Sequence, residues 1–254
     1  MFSGGWFGKY LIVNLSDRSF HIEPLQENLA HDYIGGRGIA AKLLYDMQPG
    51  RIDPLSPENN LIIFTGPLNG TNAPGSSRII LLSKSPQSNT INPSSMGGAF
   101  PNALKRTGWD GVVITGKAQG KLWIHISPDG VSFHDATVFW GCSTSETEKK
   151  VKKTLTIPCH VASIGPAGEN LVRYAAVVSE TRTAARGGIG AVMGSKNLKA
   201  IAVSGNRETY ITDRHAFREI VQAIRNDQTE NPSLLGMQMN GTCLLYTSPS
   251  PRDS

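Results

Sequence analysis

The chain has 254 residues, 39% of them apolar and 18% charged, with 27 glycines and a formal net charge of +5. That balance excludes a disordered segment and leaves room for one large domain, or one domain and part of a second. No apolar run is long enough to cross a bilayer, and the basic residues are scattered rather than gathered into an aromatic-laced stripe, so neither a membrane nor a nucleic-acid partner is expected.

In chain order, "KYLIVNL" (9–15) alternates as a strand, and "SFHIE" (19–23) is its hairpin partner across Ser16-Asp17-Arg18. "ENLAHDYIGG" reads as a short helix stopped by glycine, and "GIAAKLLYDM" as a second, with Ile39, Leu43 and Met47 on one face. "NLIIFTG" and "SRIILLSK" are buried strands flanking the turn-rich "PLNGTNAPGS". "PNALKRTG" is a helix ended by Gly108, and "GVVITG" is a strand. "LWIHIS" and "VSFHD" form a hairpin across Pro128-Asp129-Gly130. "STSETEKKVKKTL" is a helix, with Ser143 and Glu146, or Ser145 and Glu148, spaced as a capping box; its "EKKVKK" run reads as a solvated face. "HVASIG", "VRYAAVV" and "KAIAVSG" are strands, the last two separated by a glycine run. "NRETYIT" reads as a domain boundary, and Asp213 caps a new helix, "RHAFREIVQAIR".

Two stretches repeat one layout: strand, Gly-Pro turn, Arg heading a strand, Gly-Gly, helix, strand, Gly. Gly66-Pro67 answers Gly165-Pro166, Arg78 answers Arg173, and Gly97-Gly98 answers Gly187-Gly188. An internal duplication follows, with two like loops facing a shared centre. A Gly-Gly step ahead of a helix leaves bare N–H groups at the positive end of the helix dipole, which suits phosphate. Arg78, Arg182 and Arg186 stand close by in sequence to supply charge-assisted hydrogen bonds. Two phosphates held face to face would call for a divalent cation between them. The competing reading is that the glycines let helix pack on sheet. A third reading is a dinucleotide loop, since "GGIGAVMG" contains G-x-G-x-x-x-G; however, "SETRTAAR" separates it from the preceding strand, and Glu208 lies beyond the following one.

"DPLSPENNLIIFTGPLNGT", "APGSSR", "SIGPAGENLV" and "GGIGAVMGSKNLKAIAV" are similar to the N-terminal domain of the aldehyde ferredoxin oxidoreductase family, the tungsten-pterin enzymes, over residues 5 to about 226. The resemblance implies an α+β fold: an internally duplicated domain of two packed, mostly antiparallel β-sheets with short helices. It divides the chain into a pterin-binding domain (1–208) and the start of a helical second domain (209–242). It implies a tungsten or molybdenum bis-molybdopterin, the metal taking no protein side-chain ligand, with a magnesium ion bridging the two pterin phosphates. Carried across residue by residue, Arg78 contacts a pterin phosphate or ring. Ser95, Gly97 and Gly98 line the first pterin loop. Arg182, Thr183, Ala185, Arg186, Gly187 and Gly188 line the second. The backbone carbonyls of Ser95 and Thr183 face magnesium. The family commonly has Asn where Ser95 stands and often Ala where Thr183 stands; main-chain contacts tolerate both changes.

Such enzymes convert an aldehyde and water to a carboxylate and pass two electrons through a 4Fe-4S cluster to ferredoxin. The implied setting is a cytoplasmic enzyme, with a homodimer possible for the full-length protein. The cluster and proton-transfer residues belong to later domains. Cys142 and Cys159 match no cluster position, and the six histidines are scattered, so no catalytic residue is assigned and the fragment is expected to be inactive and poorly soluble. Two alternatives are a non-aldehyde reductase of the same scaffold, acting on aromatic acyl thioesters, and a non-catalytic cofactor-binding module. Three cysteines without C-x-x-C or metal spacing, and no recognisable secretory signal, agree with a reducing compartment. The final "CLLYTSPSPRDS" (243–254) resembles a translated transposase-type sequencing adapter, so Cys243 and its neighbours are expected to be foreign to the gene.

Overall fold

Short apolar segments, continuous in the central strands and mixed with polar residues toward the edges, form two six-stranded sheets. The computed structural model describes residues 2, 4–48 and 50–241; the adapter-like tail and Cys243 lie outside the described residues. The first half contains β1 (Lys9–Asn14), β2 (Ser19–Pro24), α1 (Glu27–Tyr33), α2 (Arg37–Met47), β3 (Leu61–Phe64), β4 (Ile79–Lys84), β5 (Ile91–Met96), α3 (Phe100–Arg106) and β6 (Gly111–Thr115). The second contains β7 (Leu122–Ser127), β8 (Gly130–Asp135), α4 (Thr144–Leu155), β9 (His160–Ser163), α5 (Pro166–Glu169), β10 (Val177–Ser179), β11 (Arg182–Ala184), α6 (Ile189–Ser195) and β12 (Leu198–Val203). Helices α7 (Arg214–Glu230) and α8 (Pro232–Asn240) follow.

The sheet orders are β2-β1-β6-β3-β4-β5 and β8-β7-β12-β9-β10-β11. Adding six to each label turns the first into the second. Each sheet has one parallel ladder, β1 with β6 and β7 with β12, and its other ladders are antiparallel. The duplication read from glycines and arginines therefore holds for the whole topology, and it takes in the two hairpins as well.

The sheets face each other. Leu11, Val13, Ile63, Leu81 and Ile114 of the first pack with Leu122, Ile124, Ile126, Ile201 and Val203 of the second in one buried cluster. Helices α3 and α6 add Phe100, Leu104, Val192 and Met193 to it. The alternate side chains point outward. Tyr10, Ile62, Phe64 and Val113 meet Ile39, Leu43 and Leu44 of α2, and Trp123, Val161 and Ala200 meet Val151 of α4. Each fully buried Leu, Ile, Val or Phe contributes roughly 1.5–3 kcal/mol, and the central strands β3, β6 and β12 collect that term on both faces.

Local signals mostly act as their chemistry predicts. Of the two capping boxes offered, Ser143 with Glu146 forms, the Ser143 N–H donating to Glu146 at 2.8 Å and the Glu146 N–H to Ser143 at 3.3 Å. Asp213 caps α7, accepting from the N–H groups of His215 and Ala216, each at 2.9 Å. One expectation needs correction, and one strand was not anticipated. "VRYAAVV" is a strand only over Val177–Ser179, because Ala175 turns to accept the Gly190 N–H at 2.9 Å. "INPSSM", with Pro93 inside it, is the strand β5; proline is tolerated because β5 is an edge strand.

Contacts among the described residues divide them into one unit up to 71 and over 75–210, and a second of 72–74 and 211–241. Thr209 is buried in the first, donating to the Asn69 carbonyl at 2.9 Å, and the Tyr210 carbonyl accepts from Gly5. In the second unit, α7 and α8 leave Ile220, Leu235 and Met239 exposed.

Three lysines are fully buried. Lys105 lies 2.6 Å from Asp110, which also accepts the N–H groups of Phe7, Gly8 and Lys9 and so fixes the N-terminal segment. Burial pushes Lys105 down, and Asp110 opposes that shift. Lys199 pairs with Glu169 and donates to the Cys142 carbonyl at 2.8 Å. Lys196 has no such partner within reach. It donates to the carbonyls of Gly116 at 2.8 Å and Pro57 at 3.1 Å, and burial pushes it down to about 8, with Glu58 opposing. Cys142 and Cys159 are free thiols, Cys159 buried and raised by that burial.

Between pH 8 and the ordinary lysine range, the unfolded chain holds a proton that folded Lys196 has lost, so stability rises with pH there. Lys196→Met should destabilise by about 1–3 kcal/mol at pH 7, by orphaning two carbonyls. Its gap to the unaltered chain should widen above pH 8 by up to about 1.4 kcal/mol per pH unit. Urea unfolding at pH 7, 8 and 9 reads this directly, and a constant gap would mean the ammonium is not desolvated. Gly188 has φ +70°, and a Cβ there would run into the Arg173 carbonyl. Gly188→Val should cost roughly 3–5 kcal/mol from strain plus overpacking. Gly120→Ala, which meets nothing within 4 Å, should stay within about 0.5 kcal/mol; equal effects of the two would refute the packing role.

Candidate anion-binding cleft

The edge strands β5 and β11, equivalent by the duplication, lie beside one another. The Arg186 N–H donates to Ser94 Oγ at 2.9 Å and ties the two halves together. Each half also seats a side chain of the other on glycine. A Cβ built on Gly98 would lie 2.8 Å from Cγ of Arg182, and one on Gly187 would lie 2.5 Å from Cγ of Asn92. Counting from the glycine pairs, Asn92 and Arg182 hold equivalent positions, and each crosses to the other half's pair, Arg182 onto its second glycine and Asn92 onto its first.

Over this junction opens a cleft of about 680 Å³. β5 supplies Asn92, Pro93 and Ser95; the segment from β11 into the glycine run supplies Thr183, Ala185 and Arg186. Arg78, just ahead of β4, lines it and donates to Ser95 Oγ at 3.3 Å. Arg37, the first residue of α2, completes it. All three arginines are exposed, and no acidic side chain is among the lining residues. Among the described residues none of the three has a carboxylate partner. Three guanidiniums sharing one concavity repel one another, and a polyanion relieves that repulsion while accepting planar, charge-assisted hydrogen bonds. Such a wall is chemically suited to an anion with more than one charged group.

Of the residues expected at a site, Arg78, Ser95, Thr183, Ala185 and Arg186 come together on the cleft wall. Gly97, Gly98 and Arg182 adjoin it without lining it: Gly97 is half-buried after β5, the Gly98 carbonyl accepts from Ser77, and Arg182 lies over Gly98. Gly187 and Gly188 are buried. Neither is on the cleft wall. Helix α6 is buried from end to end, and the Gly190 N–H donates to the Ala175 carbonyl. The missing Cβ atoms leave room for Asn92 and the Arg173 carbonyl. The dinucleotide reading falls, because β11 is an antiparallel edge strand and no βαβ crossover surrounds the glycines. None of the six histidines lines the cleft, and among the described residues no cluster of His, Cys, Asp or Glu could hold a metal ion. Arg37 and Asn92 were not picked out from the sequence, although "GGRG" (35–38) is a visible signal: a further glycine pair followed by an arginine that opens a helix.

A family model of the aldehyde ferredoxin oxidoreductase N-terminal domain matches residues 10–205. The chain is 44% identical over 248 residues to the tungsten-containing aldehyde ferredoxin oxidoreductase of Thermococcus kodakarensis, covering 95% of this chain and 40% of that protein. It is 43% identical, with the same coverage, to the enzyme of that name from Pyrococcus furiosus. It is 38% identical over 216 residues to the WOR-like subunit of an aliphatic sulfonate oxidoreductase from Pyrococcus furiosus, covering 78% of this chain and 34% of that one. Among solved structures, the active-site complex BamBC of benzoyl coenzyme A reductase superimposes with a TM-score of 0.88 at 36% identity, over 90% of this chain and 36% of that one. The chain thus spans about two fifths of the length of the curated relatives it matches. By domain model, identity and fold, it belongs to the aldehyde ferredoxin oxidoreductase family, whose N-terminal domain it carries.

Proposed function

We propose that the chain is the cofactor-gripping base of a tungsten or molybdenum bis-pterin oxidoreductase that converts aldehydes to carboxylates, with ferredoxin taking the electrons. One observation carries the reading: a cleft lined by three arginines and no acid, centred on the junction between two copies of one supersecondary unit. A ligand of two like halves, each ending in a phosphate, matches a site of two like halves. The tungsten-containing relatives make the pterin form of such a ligand the natural candidate.

The residues fit the group. Arg78 and Arg186 come from the two different halves and would each face a phosphate. Ser95 and Thr183 lie on edge strands, where alternate carbonyls lack a ladder partner and can accept a hard cation such as magnesium. The Arg78 contact to Ser95 Oγ holds the guanidinium over β5 and limits its rotamers before any ligand arrives. The Arg186 amide, bound to Ser94, fixes the backbone from which that side chain leaves. When bound, the metal–dithiolene centre would supply the two-electron chemistry by which aldehyde and water become carboxylate, three protons and two electrons. The chain's own part is to orient the cofactor and neutralise its phosphates; no described residue is assigned a proton-transfer step. The 4Fe-4S cluster, the substrate pocket and any homodimer contact would lie in the further length that the relatives possess. A cytoplasmic setting fits a ferredoxin-linked enzyme, and no helix among the described residues is long and apolar enough to cross a membrane.

The likeness to a benzoyl coenzyme A reductase complex favours a second reading, reduction of an aromatic acyl thioester on the same scaffold. Identity leans toward the aldehyde enzymes, 44% against 36%. Assays of the full-length protein with aldehydes and with aryl-coenzyme A thioesters decide between them.

In the full-length protein, Arg78→Gln and Arg186→Gln should each weaken cofactor retention roughly tenfold, the scale of one charge-assisted hydrogen bond. Metal analysis together with fluorescence of oxidised pterin measures this, and full tungsten and pterin content in both variants would overturn the cleft assignment.

A further inference from the structure

We infer that Arg37 is a third phosphate-gripping residue of the cleft, contributed by α2 rather than by either glycine-loop segment. The inference rests on the cofactor reading above and adds a residue to it. Arg37 lines the same cleft as Arg78 and Arg186, is exposed there, and has no carboxylate partner among the described residues. Its backbone is held firmly. The Gly36 N–H donates to the Thr65 carbonyl at 2.9 Å, the Gly38 N–H to the Gly35 carbonyl at 3.0 Å, and Gly36 at φ +46° turns the chain into the helix. Ile39, Leu43 and Leu44 then fasten α2 to the outer face of the first sheet. A long cationic side chain on so fixed a base is poised to meet a ligand rather than to roam in solvent.

The duplication sharpens the assignment. The second half places α4 where the first half has α1 and α2, and α4 begins at Thr144 behind a serine–glutamate capping box, away from the cleft lining. Arg37 therefore has no counterpart, and the first half offers two guanidiniums against one from the second. A phosphomonoester carries between one and two negative charges near neutrality. Two guanidiniums neutralise it and can each bind it through paired N–H donors.

The test uses inorganic pyrophosphate as probe, titrated calorimetrically into the full chain at low ionic strength. Arg37→Gln should raise the dissociation constant about tenfold and Arg37→Lys by clearly less, while Arg18→Gln, on the β1–β2 turn, leaves it unchanged. Thermal unfolding of each variant confirms that the fold is intact. If Arg78→Gln weakens binding and Arg37→Gln does not, the Arg37 assignment is overturned and the cleft reading stands. If the unaltered chain binds no pyrophosphate at all, both are overturned.

Discussion

Everything at the cleft depends on one steric constraint: two edge strands from equivalent halves must approach closely enough for each to lay a side chain across the other's glycines. Arg182 crosses Gly98, and Asn92 crosses Gly187. Any Cβ at those glycines would push the strands apart, and both glycines sit at positive φ, where other residues are strained. The Arg186 amide bound to Ser94 spans the same junction. Glycine here lets two pieces of protein meet, and the cleft is the concavity left above the meeting.

Electrostatics then separates frame from site. In the frame, the buried cations are compensated. Lys105 has Asp110, Lys199 has Glu169, and Lys196 has two carbonyls while yielding its proton more readily than an ordinary lysine. Buried charges without partners are expensive, and the fold contains none of that kind among these lysines. At the cleft the opposite holds: three arginines converge with no acid on the wall. Exposure to water makes that arrangement tolerable in the free chain, and exposure also makes it useful, since a ligand that displaces the water receives donors already in place.

How much of this was legible in the sequence follows from the range of the forces involved. The hairpins, the Ser143–Glu146 cap and Asp213 rest on neighbours a few residues apart, and the sequence displays them openly. The duplication was legible because glycine, proline and arginine mark turns at matching offsets. Strand β5 was not, because Pro93 argues against a strand unless its edge position is known, and edge position is a tertiary fact. Nor were the packing contacts of Gly187 and Gly188. A glycine pair ahead of a helix has the same local appearance whether a phosphate or the side chain of a residue some ninety positions away lies over it. Arg78 and Arg186 stand out in sequence beside their glycine loops, and family resemblance adds Ser95, Thr183 and Ala185; Arg37 and Asn92 needed the fold to bring α2 and β5 to one wall.

The symmetry of the frame and the asymmetry of the charge are then two separate layers. Repeating one six-strand unit produces a junction with two like walls, which by itself favours a ligand with two like ends. Charge is laid on that junction unevenly, with Arg37 and Arg78 from the first half and Arg186 from the second. A twinned ligand would be gripped harder at one end, and that fixes which end goes where. A perfectly symmetric base could not impose such a preference on a ligand with two like ends. The helix that carries Arg37 is also where the second half departs most from the first, having α4 in place of α1 and α2. The departure from duplication, more than the duplication itself, gives the cleft a direction.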